Sequence, residues 1–105
     1  MVEAMSRILE YTHEIEYEDF INNRLIQDGV IRQIEVLGEA SKRIPASVRE
    51  KHPEIPWRAM SGMRDKMIHE YSGVDLDVIW KVATTNIPED RPGIMRILEE
   101  EKSVP

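Results

Sequence analysis

Cysteine is absent from this 105-residue chain, which excludes a disulfide framework and a thiolate metal site. No apolar run approaches the roughly 20 residues a membrane-spanning helix needs. The first twenty residues, "MVEAMSRILEYTHEIEYEDF", lack the basic start and apolar core of a secretion signal. Together these absences predict a cytoplasmic protein. Internal repeats and low-complexity tracts are missing, and no segment alternates apolar and polar residues as a half-buried strand does. GxSxG, P-loop and GxGxxG patterns are also missing. So are HxH and HExxH, which leaves no expectation of a metal site or a bound cofactor.

What the chain does have is helical text punctuated by proline and glycine. Hydrophobic residues make up 41% and charged residues 32%, an ordinary balance for one domain spanning residues 1–105. Met5, Ile8, Leu9, Thr12 and Ile15 follow a 3.6-residue rhythm and predict a helix from Met5 to about Tyr17. "YEDFINN" reads as a short helix or turn. Ile26, Val30, Ile34, Leu37, Ser41 and Ile44 share one face of a long helix over Leu25 to Ile44, ended by Pro45. In it Gly38 and Ala40 are small enough to admit a neighbouring helix. "PASVREKH" suits a short helix with proline in its first turn. Trp57 to about Tyr71 reads as the next helix, with Gly73 as its stop. "DLDVIWKVATTN" follows, with Asp75 as N-cap, then interruptions at Pro88 and "RPG", then a helical "IMRILEEEK". The acid pair Asp75/Asp77 reads as a helix start, not a catalytic dyad. The expected architecture is an all-α bundle of about five helices.

The net charge of −6 argues against a general nucleic-acid binder. Its distribution is uneven. Residues 1–40 hold three Lys/Arg against nine Asp/Glu, residues 41–71 hold seven against four, and residues 72–105 hold four against seven. A local anion site on an acidic protein is therefore open, beside the plainer reading of scattered solvated side chains.

The basic segment contains "GMRDKMIHEYSGVD", Gly62 to Asp75. At about 100° per residue, Trp57, Met60, Met63, Met67, Ile68 and Tyr71 form one apolar arc, and Arg64 lies within it. No carboxylate stands three or four residues away, so no local ion pair explains the arginine. An unpaired buried guanidinium is costly. Arg64 must snorkel outward, meet an acid such as Glu35 or Glu39 from another helix, or line a cleft that receives an anion. His69, five residues on, is either a histidine at a helix C-terminus favoured by the dipole or a general acid–base group. Tyr71 is either a core residue or a hydroxyl at the mouth of the same cleft. Lys66 and Arg58 add positive field. His13, in an acidic helix, and His52, before Pro53, are less telling. One arginine to bind a phosphate and one histidine to move a proton suit metal-independent cleavage of RNA, whose 2′-hydroxyl is its own nucleophile.

"LIQDGVIRQIEVLGEASKRIP" followed by "KHPEIPWRAMSGMRDKMIHEYSGVDLDVIWKVATTNIP" closely resembles the HepT-like family of HEPN proteins. The resemblance runs from about Ser6 to Leu98. Its specific part is R-x4-H-x-Y, here Arg64, His69 and Tyr71. The resemblance implies an antiparallel, homodimeric helical bundle whose two Arg/His motifs meet across a cleft at the dimer interface. It implies a ribonuclease toxin paired with a minimal nucleotidyltransferase antitoxin that transfers AMP to the motif tyrosine, Tyr71. Arg64 and His69 would then be catalytic. Asp65, Glu39 and Lys66 are candidate supporting residues. Asp65 stands where the family often has asparagine, and can pair with Arg64 or His69. The alternative is a non-catalytic dimer that docks the nucleotidyltransferase and binds a nucleotide or phosphate.

Overall fold

A computed structural model describes residues 1–63, 68–69 and 73–102, without the side chains of residues 68, 69, 73, 74 and 102. The described chain is an all-α bundle with one short strand pair. Helix α1 is Val2–Tyr11, α2 Tyr17–Ile21, α3 Arg24–Lys42, α4 Ala46–Lys51 and α5 Trp57–Ser61. Strands β1 (Ile68–His69) and β2 (Gly73–Val74) pair antiparallel, with Ile68 opposite Val74 and His69 opposite Gly73. Helix α6 is Leu76–Lys81, a π-helical turn covers Val82–Asn86, and α7 is Ile87–Lys102.

The long helix α3 is the axis of the fold. Asn23 caps it by accepting a hydrogen bond from the Ile26 amide at 3.1 Å, which satisfies one of the orphan donors of the first turn. Val30, Ile34, Leu37 and Ser41 are fully buried, as the spacing predicts, and Ile26 and Ile44 pack at its edges. Met5 and Ile8 belong to α1, which packs on this face, and Ile79 to α6, which also meets α3, while the π turn and α7, carrying buried Ala83 and Ile87, pack on α1. Each buried aliphatic side chain of this size stabilises the fold by about 1.5–3 kcal/mol before entropy is counted.

Three boundaries differ from the pattern in the sequence. Helix α1 starts at Val2 and ends at Tyr11, not near Tyr17. The Thr12 hydroxyl donates to the Ile8 carbonyl at 3.0 Å, and Glu14 adopts a left-handed φ of 56°, which turns the chain out of the helix. Glu16 and Asp19 then form a capping box that starts α2.

Next, the expected helix from Trp57 to Tyr71 is not continuous. Helix α5 ends at Ser61, with Gly62 as its C-cap. Ile68 and His69 are extended and paired with Gly73 and Val74. The apolar arc is correct as far as Trp57, Met60 and Met63, all buried. A single helical period cannot carry on to Ile68, because the chain there changes to a strand.

Last, Pro88 and "RPG" do not break the terminal helix, which runs unbroken from Leu76 to Lys102. The Ile87 amide donates to the Val82 carbonyl five residues back. Pro88, which has no amide proton, enters the helix where the wider π turn has already shifted the hydrogen-bond register.

Candidate functional site

The chain enters the R-x4-H-x-Y segment from α5, and a close seam against α3 fixes where α5 sits. A β-carbon at Gly38 would lie 3.5 Å from the Met60 carbonyl oxygen and 3.7 Å from that of Ser61. The two backbones are thus close enough that a β-carbon would already touch α5, and only a residue as small as glycine or alanine fits at position 38. Beside it the Ser41 hydroxyl contacts the Gly38 carbonyl at 2.8 Å and the Ser61 hydroxyl at 3.0 Å, and Ser61 contacts the Trp57 carbonyl at 3.0 Å. Two hydroxyl protons serve three contacts, so the serines share one small network across the seam. Trp57, at the start of α5, donates its indole N–H to the His52 carbonyl at 2.9 Å.

Downstream, His69 is in β1, its backbone paired with Gly73. It is therefore a strand residue, not part of the helix that the spacing predicts there. Asp75 follows β2 directly and caps α6, accepting from the Val78 amide at 3.2 Å. This bears out the N-cap expectation. Arg64, Asp65, Lys66 and Tyr71 lie outside the described residues, as does any contact between Arg64 and Glu35 or Glu39. Of those two acids, Glu39 is exposed and lies 3.3 Å from Lys42.

Two clefts open on either side of Ser61. One, of about 390 Å³, is bounded by Arg32, Glu35, Glu39 and Arg43 on the outer face of α3 and by Gly38 at its floor. The second, of about 1140 Å³, lies between the end of α3, α4 and α5, with Lys42, Arg49 and Arg58 against Glu50, and reaches Gly62. Lys42 and Ser61 belong to both. Arg58 thus shares a cleft with Gly62, two positions before Arg64 in sequence. The convergence of Lys42 and Arg49 on the same cleft was missed. The only signal for it was the excess of cations over residues 41–71.

The remaining histidines are elsewhere. His13 is exposed beside Glu14. His52 is largely covered, with Nδ1 3.4 Å from Glu54 and Nε2 3.5 Å from Glu100. Among the described residues no three His, Cys, Asp or Glu side chains cluster in a way that could hold a metal ion. No helix among them is long and apolar enough to cross a membrane.

Residues 1–99 match the family model described as "Ribonuclease HepT-like". The chain belongs to the HepT-like ribonuclease family. Among its HepT-like relatives is "Probable ribonuclease HepT" of Thermococcus cleftensis. It is 51% identical over 88 residues, which cover 84% of this chain and 80% of that one. "Putative RNase MJ1216" of Methanocaldococcus jannaschii is 45% identical over 100 residues, covering 95% of this chain and 83% of the relative. No solved structure matches the chain significantly. The all-α bundle agrees with the HEPN-like fold expected of a HepT-like chain.

Proposed function

We propose that this protein is a metal-independent endoribonuclease, with Arg64 and His69 as its catalytic residues. The observation that carries the reading is the HepT-like ribonuclease match over residues 1–99, which contains the whole R-x4-H-x-Y segment. His69 removes the proton from a 2′-hydroxyl. The 2′-oxygen attacks the adjacent phosphorus, the bond from phosphorus to the 5′-oxygen breaks, and that oxygen leaves with a proton. The products are a 2′,3′-cyclic phosphate and a 5′-hydroxyl. Arg64 offers its planar fork to the phosphate oxygens and offsets the charge that builds there. Neither role needs a metal ion.

In this reading two copies of the chain build the cleft together. The outer face of α3 supports it, since Leu25 is 82% exposed and Val36 is also exposed, three turns along on the same face. A minimal nucleotidyltransferase acts as antitoxin and places AMP on Tyr71. The added phosphate brings negative charge to the place where RNA phosphate must enter, and repels it. The protein is then the toxin of a toxin–antitoxin pair acting in the cytoplasm.

The test is cleavage of mixed RNA by purified protein in EDTA. Wild type should cut and leave 2′,3′-cyclic ends. His69→Ala and Arg64→Ala should each be slower by about 10²–10⁴-fold, the usual share of a general acid–base group or charge-stabilising donor. Equal cleavage by the variants would remove both residues from the chemistry.

A further inference from the structure

We propose that the wide cleft between the end of α3, α4 and α5 is a binding track for the phosphate backbone of single-stranded RNA, outside the reacting centre, with Lys42, Arg49 and Arg58 as its cationic contacts. The proposal rests on the ribonuclease reading and adds to it where the rest of the strand lies.

Three observations support the track. The first is convergence. Each of the three cations comes from a different helix, yet all line one cleft, where Glu50 is the one carboxylate among the described residues. The chain as a whole has the opposite balance, 14 Lys/Arg against 20 Asp/Glu. Cations near the ends of α3, α4 and α5 are explained singly by the helix dipole. That effect does not bring them to a common space.

The second is that the charge there is largely uncompensated. Arg49 and Arg58 are exposed; among the described residues their guanidinium groups make no hydrogen bond or ion pair, and the Lys42 ammonium meets Glu39 alone, at 3.3 Å. Exposed cations without partners raise the local potential and are available to a polyanion.

The third is shape and position. At about 1140 Å³ the cleft is larger than the roughly 300–1,000 Å³ typical of small-ligand pockets, and it is a trough rather than an enclosed cavity. It reaches Ser61 and Gly62, and Gly62 stands two positions before Arg64. A strand lying in it would meet the chain just before the R-x4-H-x-Y segment. The adjoining cleft, which shares Lys42, sets Arg32 and Arg43 beside Glu35 and Glu39 and is of mixed charge, so the cationic track is confined to the wide cleft. Trp57 lines the trough but is buried to 8% exposure, so backbone charge, not base stacking, is the recognition. The track is accordingly indifferent to sequence.

The experiment uses the full chain and a fluorescent 12-nucleotide RNA carrying 2′-O-methyl groups throughout, which lacks the nucleophile and cannot be cut. Anisotropy is followed from 50 to 200 mM NaCl for wild type, Arg49→Gln/Arg58→Gln and Arg7→Gln/Arg96→Gln. The third protein loses the same charge away from the cleft. Removing two phosphate contacts should weaken binding by about 10-fold and lower the salt slope by roughly 1.4, at about 0.7 per contact on a single strand. The distant double variant should stay within about 2-fold. Thermal midpoints check that each variant folds.

Equal RNA affinity in wild type and Arg49→Gln/Arg58→Gln, with cleavable RNA still cut by wild type, overturns the track and leaves the ribonuclease reading intact. Wild type that neither binds nor cuts RNA overturns both. Displacement of the RNA by polyglutamate of equal charge, at equal concentration, also overturns the track and assigns the cleft to an acidic protein surface.

Discussion

Gly38 is the place where the seam can be tested most sharply, because the geometry gives opposite signs for two substitutions. Gly38 is buried within α3. An added β-carbon would meet the Met60 and Ser61 carbonyl oxygens at 3.5 and 3.7 Å, ordinary van der Waals distances. Alanine therefore fits without movement, and its only effect is on helix propensity and chain entropy. It should stabilise the fold by about 0.4–1 kcal/mol. With about 2.1 cal/mol/K of unfolding entropy per residue, a chain of 105 residues gives about 0.2 kcal/mol/K. The midpoint should rise by about 2–4 °C. Leucine carries further atoms outward from that β-carbon, into the α5 backbone, where no side-chain rotamer can give way. Overpacking of this kind costs about 1–3 kcal/mol and should lower the midpoint by about 5–14 °C. It should also slow RNA cleavage, because α5 leads into Arg64. Circular dichroism melts at one fixed protein concentration are the assay, since self-association would otherwise move the midpoint. A midpoint that falls in Gly38→Ala, or stays unchanged in Gly38→Leu, would refute the seam as described.

Two further outcomes follow from other contacts. The Tyr17 hydroxyl donates to the Asp77 carboxylate, and that hydrogen bond, with lesser contributions from burial and the nearby acids, raises the phenol's pKa above its ordinary value of 10. A folded-state pKa raised this way contributes stability below the unfolded pKa and loses it as pH rises through the folded one. So wild type should lose stability relative to Tyr17→Phe above about pH 10, and a difference titration at 295 nm should show one phenol returning to the ordinary range in Asp77→Asn. Asp75→Ala removes the α6 cap and should cost about 1 kcal/mol, read as a denaturant midpoint shift at unchanged slope. Unchanged stability would mean the Val78 amide finds another acceptor.

Much of the fold is legible in the sequence because burial imposes a period. The α3 face from Val30 to Ser41 is read correctly since every apolar step of three or four residues meets a packed neighbour. Gly38 and Asp75 are read correctly because a missing side chain and a capping carboxylate each have one plain use. The same reading goes wrong where a single period is extended past a change of state. Met67, Ile68 and Tyr71 keep the spacing of Trp57, Met60 and Met63, yet Ile68 and His69 are in a strand. Periodicity reports which residues are apolar, and a two-residue strand is too short to show an alternation of its own. Pro88 misleads for a related reason. Proline breaks an α register, and the π turn before it has changed that register. The basic cleft is hidden because its cations lie at positions 42, 49 and 58, on three helices whose relative placement no local pattern encodes.

The way the chain is held around the motif bears on how the proposed chemistry divides. Upstream, Trp57, Met60 and Met63 are buried and Ser61 is tied to Ser41 across the α3–α5 seam. Downstream, the backbone of His69 pairs with Gly73, and β2 runs into the Asp75 cap of α6. Arg64, the proposed phosphate binder, therefore follows in sequence an anchor built from core packing. His69, the proposed proton-transfer group, is held by a backbone ladder that runs into a helix cap. These anchors involve different helices and different forces, so a change in one need not disturb the other. Loosening the seam acts first on where the phosphate rests. Loosening the strand pair acts first on the orientation of the imidazole, and so on the pH dependence of cleavage. A single rigid helix from Trp57 to Tyr71 would have tied the two groups together and, at about 100° per residue, pointed them roughly 140° apart. The break after α5 and the strand at His69 remove that constraint.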